Sequence, residues 1–209
     1  MLLNYNTIRL EYKMKVTGVI HVGAHHGEEV PIYLNNGITK IALFEPVSEN
    51  FKIIQEHVSN YNADIVGYQV ALGSENKEVD IHLASNNYES SSILKPKKHL
   101  ELYPDITFDS TERVEVRRLD DYQLEGYNLM NIDVQGYELE VMKGSEETLK
   151  QIDYIYCEVN KAEIYENNAY IDEIDNFLSQ YSFERVEFKW WEDHDWGDAL
   201  YIKRSNNGN

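Results

Sequence analysis

Val19-Ile20-His21-Val22-Gly23-Ala24-His25-His26-Gly27 decides the fold. Its short, largely apolar start, Val19–Val22, reads as a strand buried on both faces, and it breaks at a glycine. Beyond Gly27 the pattern turns helical over about Glu28–Asn35, with Pro31 tolerable only in the first turn and Gly37 as the stop. Strand, glycine turn and helix make the opening half of a βαβ unit. In open parallel sheets ligands bind beyond the carboxyl ends of the strands, where the strand order reverses, so this turn is a candidate ligand site.

Short apolar runs alternate with helical periodicity along the rest of the chain. Strand two is Ile41–Phe44, and Ser48 is placed to cap a helix whose apolar positions Phe51, Ile54 and Val58 repeat at helical spacing. Strand three covers roughly Ile65–Leu72. Val79–Ala84 alternates and can pair with Val114–Arg117. The polar, irregular stretch between them, residues 85–112, is long enough to be a substrate loop. Strand four is Leu129–Val134, followed by a helix over Tyr137–Lys143 that Gly144 ends, with Ser145 as a fresh helix start. Strand five is Tyr154–Val159, and Ile171–Tyr181 is a helix. Phe183–Trp190 and Asp198–Lys203 form a closing hairpin. The expected fold is α/β and Rossmann-like: about seven strands, mainly parallel, a C-terminal antiparallel hairpin, and helices on both faces. One domain spans 19–204, with 1–18 as an N-terminal extension in which Met14 is an alternative start, and 205–209 as a polar tail.

Composition narrows the partners. The chain has 209 residues, 42% of them hydrophobic, and a formal net charge of −18. Length and apolar content fit one domain with a sizeable core. Without a basic stripe, nucleic acid and an anionic membrane surface are poor partners. A neutral or cationic small molecule or a glycan fits better. No stretch reaches membrane-span length and the N-terminus lacks a secretory apolar segment, so a cytoplasmic location is expected. The single cysteine, Cys157, allows no internal disulfide and no cysteine zinc site; in its apolar run it reads as a buried core thiol. Trp190, Trp191 and Trp196 close the core or form a homo-oligomer interface.

Candidate site residues cluster at the strand ends. Gly23 and Gly27 let backbone approach a ligand without a Cβ in the way. His25 stands where the dinucleotide fingerprint has its middle glycine, the one that lets backbone touch a pyrophosphate, so a phosphate-free adenosyl ligand such as S-adenosylmethionine fits this turn better. Glu45 falls 22 positions after Gly23 at the end of strand two, where a carboxylate accepts from ribose hydroxyls. Ala71 and Leu72, within Val70–Gly73, offer an apolar edge for adenine. Asp133 ends strand four and faces the cleft, as a general base or as a ligand to a metal that activates the acceptor. Glu158 and Asn160 come near it, either as oxygen ligands for a hard cation or, the reading adopted, as a hydrogen-bonding network without metal. His25 and His26 are alternative bases or plain turn residues. Glu138 begins a helix and complements its positive end. Tyr88, Tyr103 and Phe108 are candidates to stack on an acceptor ring.

Together these segments resemble the FkbM-type methyltransferases. That family has a VGA-N-x-G turn, present here as Val22–Gly27, then FEP as Phe44-Glu45-Pro46, a VALG-like segment as Val70–Gly73, and an IDVxG-x-E block as Ile132–Glu138. Ser90–Ser92 match a serine-rich stretch between the third and fourth strands. The resemblance spans roughly Val19 to Asn160. It implies a class I methyltransferase fold, S-adenosylmethionine as cofactor, and O-methylation of a sugar, glycan or small natural product. The expected cofactor contacts are His21, Gly23, Ala24, His25, Gly27, Glu45, Pro46, Ala71, Leu72 and Asp133, with Asp133 as the first-choice catalytic base, His25 as its alternative, and no metal ligand assigned. His21 replaces an acidic residue common in the family, and His25 replaces its asparagine. Two other readings of the same residues are an inactive adenosyl-binding module and an NAD-dependent Rossmann enzyme.

Overall fold

The computed structural model describes residues 1–204. The polar tail at 205–209 lies outside the described residues. Ten strands follow in chain order: β1 (Val19–Val22), β2 (Lys40–Phe44), β3 (Asp64–Tyr68), β4 (Ala71–Leu72), β5 (Lys77–Leu83), β6 (Ser110–Arg117), β7 (Leu129–Ile132), β8 (Tyr154–Asn160), β9 (Phe183–Trp190) and β10 (Trp196–Lys203). The helices are α1 (Tyr5–Glu11), α2 (Val30–Asn35), α3 (Ser48–Val58), α4 (His99–Leu102), α5 (Glu138–Lys143) and α6 (Ile171–Ser179). Among the described residues no helix is long and apolar enough to cross a membrane.

Alternation along the strands builds two faces. Ile20, Val22, Ala42, Phe44, Met130 and Ile132 pack with Val141 and Met142 of α5 and Ile174 and Leu178 of α6. Val19, Ile41, Leu43 and Leu129 point the other way, onto Ile8 of α1, Tyr33 of α2 and Ile54 of α3. Each such large side chain contributes roughly 1.5–3 kcal/mol on burial. The sheet therefore needs a helical layer on each face, and has one.

The large sheet runs β3-β2-β1-β7-β8-β10-β9. Its first five strands are parallel neighbours. β10 lies antiparallel between β8 and β9. The strand order reverses at β1 and β7, which puts the Gly23 turn and Asp133 side by side at the switch point.

Several expected elements are corrected. The run 65–72 is not one strand. The Val70 N–H donates back to the Tyr68 carbonyl at 3.1 Å, and Ala71–Leu72 leave the large sheet to pair in parallel with β6. With β5 antiparallel to β6, a separate three-stranded sheet results. Ser48 does not cap α3 but starts it: the Ser48 N–H donates to the Glu112 carboxylate at 3.2 Å and the Val47 N–H to Glu45 at 3.0 Å. Ser145 starts no new α-helix. Its hydroxyl donates to the Val141 carbonyl at 2.6 Å, and only a 3₁₀ turn, Thr148–Lys150, follows. The segment 85–112 contains α4, and its last residues belong to β6. Residues 1–18 are not detached, since Leu3, Tyr5, Ile8 and Met14 are buried in the second core.

Candidate functional site

Gly23 places two loops in contact. Its φ is +78°, and a Cβ there would sit 1.7 Å from the Asp133 carbonyl oxygen. No side chain fits that approach. The Gly23 and Ala24 N–H groups both donate to the Phe44 carbonyl, at 2.9 and 3.1 Å, so the ends of β1, β2 and β7 converge.

Two cavities open at this point. The smaller, of about 570 Å³, is lined by Gly23, Glu45, Pro46, Ala71 and Leu72, with Val47 and Ile81 of the small-sheet core on its wall. The larger, of about 1640 Å³, holds His21, Glu158, Tyr103, Trp191 and Trp196. Gly23, His25, Glu89, Asp133 and Gln135 line both. The loop 85–112 covers both cavities, and it is pinned by Ser92, whose hydroxyl donates to the Gln135 carbonyl at 2.7 Å, and by Tyr165, whose hydroxyl donates to the Ser90 carbonyl at 2.9 Å.

Glu45 is buried in the small cavity. Its carboxylate accepts from the His25 N–H at 2.9 Å, the Val47 N–H at 3.0 Å and the Asn50 amide at 3.3 Å. Burial raises its carboxyl to about 7 in spite of these donors. An acid so placed organises both flanking loops and still faces the space where a ribose would lie.

Asp133 is open to the cavities yet lies deep in the protein, and burial raises its carboxyl above the usual range. Gln135 Nε2 donates to Asp133 Oδ1 at 2.8 Å and to Glu158 Oε2 at 3.0 Å. Burial, and then the neighbouring Asp133, Glu138 and Asp198 charges, push the Glu158 carboxyl well above the usual carboxylate range. The Gln135 amide thus occupies the space between the two carboxyls, where a shared cation would have to sit. Asn160, expected near them, is buried with both amide atoms unpaired among the described residues.

The histidines behave differently from expectation. His25 is not arranged as a base. Its Nδ1 faces Glu28 Oε1 and its Nε2 faces the Asn87 carbonyl, each at 2.8 Å. Neither oxygen has a proton to give, so both ring nitrogens carry one. Burial alone would lower this imidazole; the hydrogen bonds to Glu28 and Asn87, with the Glu28 and Glu45 charges, outweigh it and raise it to about 9. An imidazolium has no lone pair for an acceptor's proton. His21 lines only the larger cavity, where it meets Asn131 at 3.1 Å and Tyr33 at 3.4 Å, and burial lowers it to about 3. It is a neutral ring where a carboxylate was the family's choice. Ala24 and Gly27 line neither cavity and instead close the turn on itself, the Gly27 N–H donating to the Ala24 carbonyl at 2.7 Å.

Glu138 Oε1 accepts from the Val134 N–H at 3.1 Å and the Gly136 N–H at 2.9 Å, which shapes the loop carrying Asp133. Phe108 packs on His99, with ring centroids 5.3 Å apart, and lines neither cavity. Tyr88 lines the smaller cavity and Tyr103 the larger. Trp191 and Trp196 stack at 5.7 Å on the larger cavity's rim, and Trp196 Nε1 donates to the Tyr103 hydroxyl at 2.9 Å. Gln135 escaped sequence reasoning. It is a non-glycine residue at φ +55°, a conformation no residue pattern announced.

A parallel sheet in which β10 runs antiparallel to both its neighbours, with ligand space at its switch point, is a Rossmann-like methyltransferase architecture. Solved structures share it. The methyltransferase FkbM from Methylobacillus flagellatus KT superposes with a TM-score of 0.59 at 16% identity, over 89% of this chain and 43% of that one. The magnesium protoporphyrin IX methyltransferase from Synechocystis PCC 6803, solved with bound S-adenosylmethionine, gives 0.54 at 9% identity, over 95% and 76%. Residues 21–185 match the methyltransferase FkbM domain family, to which the chain belongs. A 129-residue stretch is 36% identical to the 2-O-methyltransferase NoeI of Sinorhizobium fredii (strain NBRC 101917 / NGR234), covering 57% of this chain and 52% of that protein. The chain therefore spans about half the length of this curated relative.

Proposed function

We propose that the protein transfers a methyl group from S-adenosylmethionine to a hydroxyl of a sugar, a glycan or another small natural product. One observation carries this reading: a small, largely apolar cavity that holds Glu45 and a larger, acid- and aromatic-lined cavity meet at Gly23, Asp133 and Gln135. That is the layout a two-substrate transfer requires. The relationship to a 2-O-methyltransferase supports an oxygen, that of a hydroxyl, as the acceptor atom.

The residues present fit the cofactor. Glu45 would accept from the ribose hydroxyls, Ala71 and Leu72 would border the adenine, and Gly23, which lines both cavities, would bring bare backbone to the ligand. S-adenosylmethionine supplies a methyl group already activated by its sulfonium. What remains for the chain is alignment and one proton. Asp133, held at Oδ1 by Gln135, takes the proton from the acceptor hydroxyl; its raised carboxyl brings it closer to neutrality, where a general base works best. Glu158, hydrogen-bonded to Gln135, helps to orient the acceptor, and Trp191, Trp196 and Tyr103 border its ring. His25 holds the loops together through Glu28 and Asn87 and performs no proton transfer.

Calorimetry with S-adenosylmethionine, followed by methyl-transfer assays on a panel of mono- and oligosaccharides, tests both halves. Cofactor binding with transfer to at least one sugar hydroxyl is the expected result. Binding without any turnover of cofactor would favour the inactive adenosyl-binding module, and no binding would remove the proposal altogether.

A further inference from the structure

We propose that His25, His26 and Glu28 form a binding site for a borderline divalent metal ion, zinc being the best match. The proposal goes beyond the methyl-transfer reading and does not depend on it. His25 Nδ1, His26 Nδ1 and a Glu28 carboxylate oxygen lie within 4.8 Å of one another. Glu28 Oε1 is 2.8 Å from the first nitrogen and 3.5 Å from the second. Ligands about 2.0–2.1 Å from a tetrahedral zinc ion lie about 3.3 Å apart, so these spacings need only small adjustments to take one.

The far side of each imidazole supplies the second, independent observation. Metal-binding histidines almost always donate their other N–H to a fixed oxygen, which leaves the near nitrogen's lone pair aimed at the ion. His25 Nε2 faces the Asn87 carbonyl at 2.8 Å and His26 Nε2 faces Asn50 Oδ1 at 3.1 Å. The Asn50 amide cannot be the other way round, because its Nδ2 donates to Glu45 Oε1. Both rings are therefore held from outside the trio by groups that can only accept, and both present Nδ1 to the same carboxylate; an ion takes the place of the proton that His25 Nδ1 holds toward Glu28, and that proton leaves to solvent. The rings stack with centroids 3.7 Å apart and planes 25° apart, so a small turn of one ring brings both lone pairs onto a shared ion. Glu28 is steadied in turn, its Oε2 accepting from the His26 N–H at 3.1 Å.

Two imidazoles and one carboxylate suit zinc and the neighbouring first-row ions and suit magnesium or calcium poorly. All three side chains are partly exposed, so an ion can enter from solvent and keep a water in the fourth position. A net charge of −18 favours the cation. The ion would fasten the turn after β1 to the start of α2, at the rim of the cavities.

The test is zinc titration of the full chain against a chromophoric chelator, with cobalt absorption in the visible as a second readout. One tight zinc equivalent is expected, and cobalt should show the intense bands of a tetrahedral site. His26→Ala and Glu28→Gln should each weaken that equivalent at least tenfold while circular dichroism stays unchanged. His194→Ala, on the far β9–β10 turn, should retain it. Magnesium should not compete. The proposal is overturned if the wild-type chain binds no zinc tighter than millimolar, or if both site variants bind as the wild type does. Should a site variant lose its fold, the wild-type cobalt spectrum alone decides, an octahedral spectrum counting against the site.

Discussion

Glu138→Gln isolates the cost of keeping a carboxyl inside this fold. Glu138 is fully buried, and its Oε2 has no hydrogen-bond partner among the described residues. Burial is the main reason its carboxyl rises from 4.5 to about 7. The folded chain therefore binds a proton more tightly than the unfolded one, and stability must fall as pH rises across that interval. Integrated for a single group between pH 5 and pH 8, the loss is about 2.5 kcal/mol. The glutamine keeps an oxygen for the Val134 and Gly136 N–H groups and cannot ionise. Its amide nitrogen takes the unpartnered position, at a fixed cost of about 1–3 kcal/mol that does not vary with pH.

The informative quantity is then a double difference. Denaturant unfolding, followed by tryptophan fluorescence, should be measured for both proteins at pH 5 and pH 8. The wild type should lose about 2.5 kcal/mol more than the variant over that range. Glu138 also raises Glu158, so removing its charge flattens the variant's profile further, in the same direction. Parallel profiles, agreeing to within about 0.5 kcal/mol, the usual margin of additivity, would refute the assignment of a strained, buried carboxyl at this position.

Further outcomes follow from the same geometry. Glu45→Ala should weaken S-adenosylmethionine binding by about 1–3 kcal/mol, the cost of a lost charged acceptor, measured by calorimetry; an unchanged affinity removes Glu45 from the ribose. Asp133→Asn should lower methyl transfer by roughly 10²–10⁴-fold, the worth of general-base catalysis, with cofactor affinity largely kept. A fully active variant would exclude the base role. Gly23→Ala meets both a positive φ and the Asp133 carbonyl, so it should cut the thermal midpoint by several degrees, on the order of 2–4 °C per kcal/mol for a domain of this size. Normal stability would mean that the loops are not pressed together as described. Trp196→Ala should raise KM for a glycan acceptor and leave cofactor affinity unchanged, as a steady-state assay with each substrate varied will show.

The sequence was most legible where burial is local and two-sided. β1 and β9 coincide with the runs Val19–Val22 and Phe183–Trp190, because a strand buried between layers or set in a hairpin carries its own pattern and punctuation. Legibility failed where distant chain supplies the deciding group. The carboxylate at the start of α3 is Glu112, 64 positions from Ser48, so the serine looked like a cap and is not one. Ala71–Leu72 read as the end of β3 because nothing local shows that β6 will claim them. His25 looked like a base because only the folded loop reveals the Asn87 carbonyl that fills its second nitrogen.

The motif residues divide by task in a way that explains what they can and cannot foretell. Gly23, Glu45 and Asp133 face the cavities, whereas Ala24, Gly27 and Glu138 line neither and hold loop backbone in place, and Ser92 does both, lining the small cavity and donating to the Gln135 carbonyl. Much of the recognisable pattern is thus loop architecture, a scaffold for any adenosyl-dependent transfer on this sheet. The acceptor is met elsewhere, by Tyr103 and His99 from residues 85–112 and by Trp191 and Trp196 around the last turn. Those segments are tied to the scaffold by bonds of their own, Ser92 to the Gln135 carbonyl and Lys97 and His99 to the Ile164 carbonyl among them. The larger cavity is thus walled in part by residues outside the motif segments, and for that physical reason the motifs identify the kind of reaction but not the molecule that receives the methyl group.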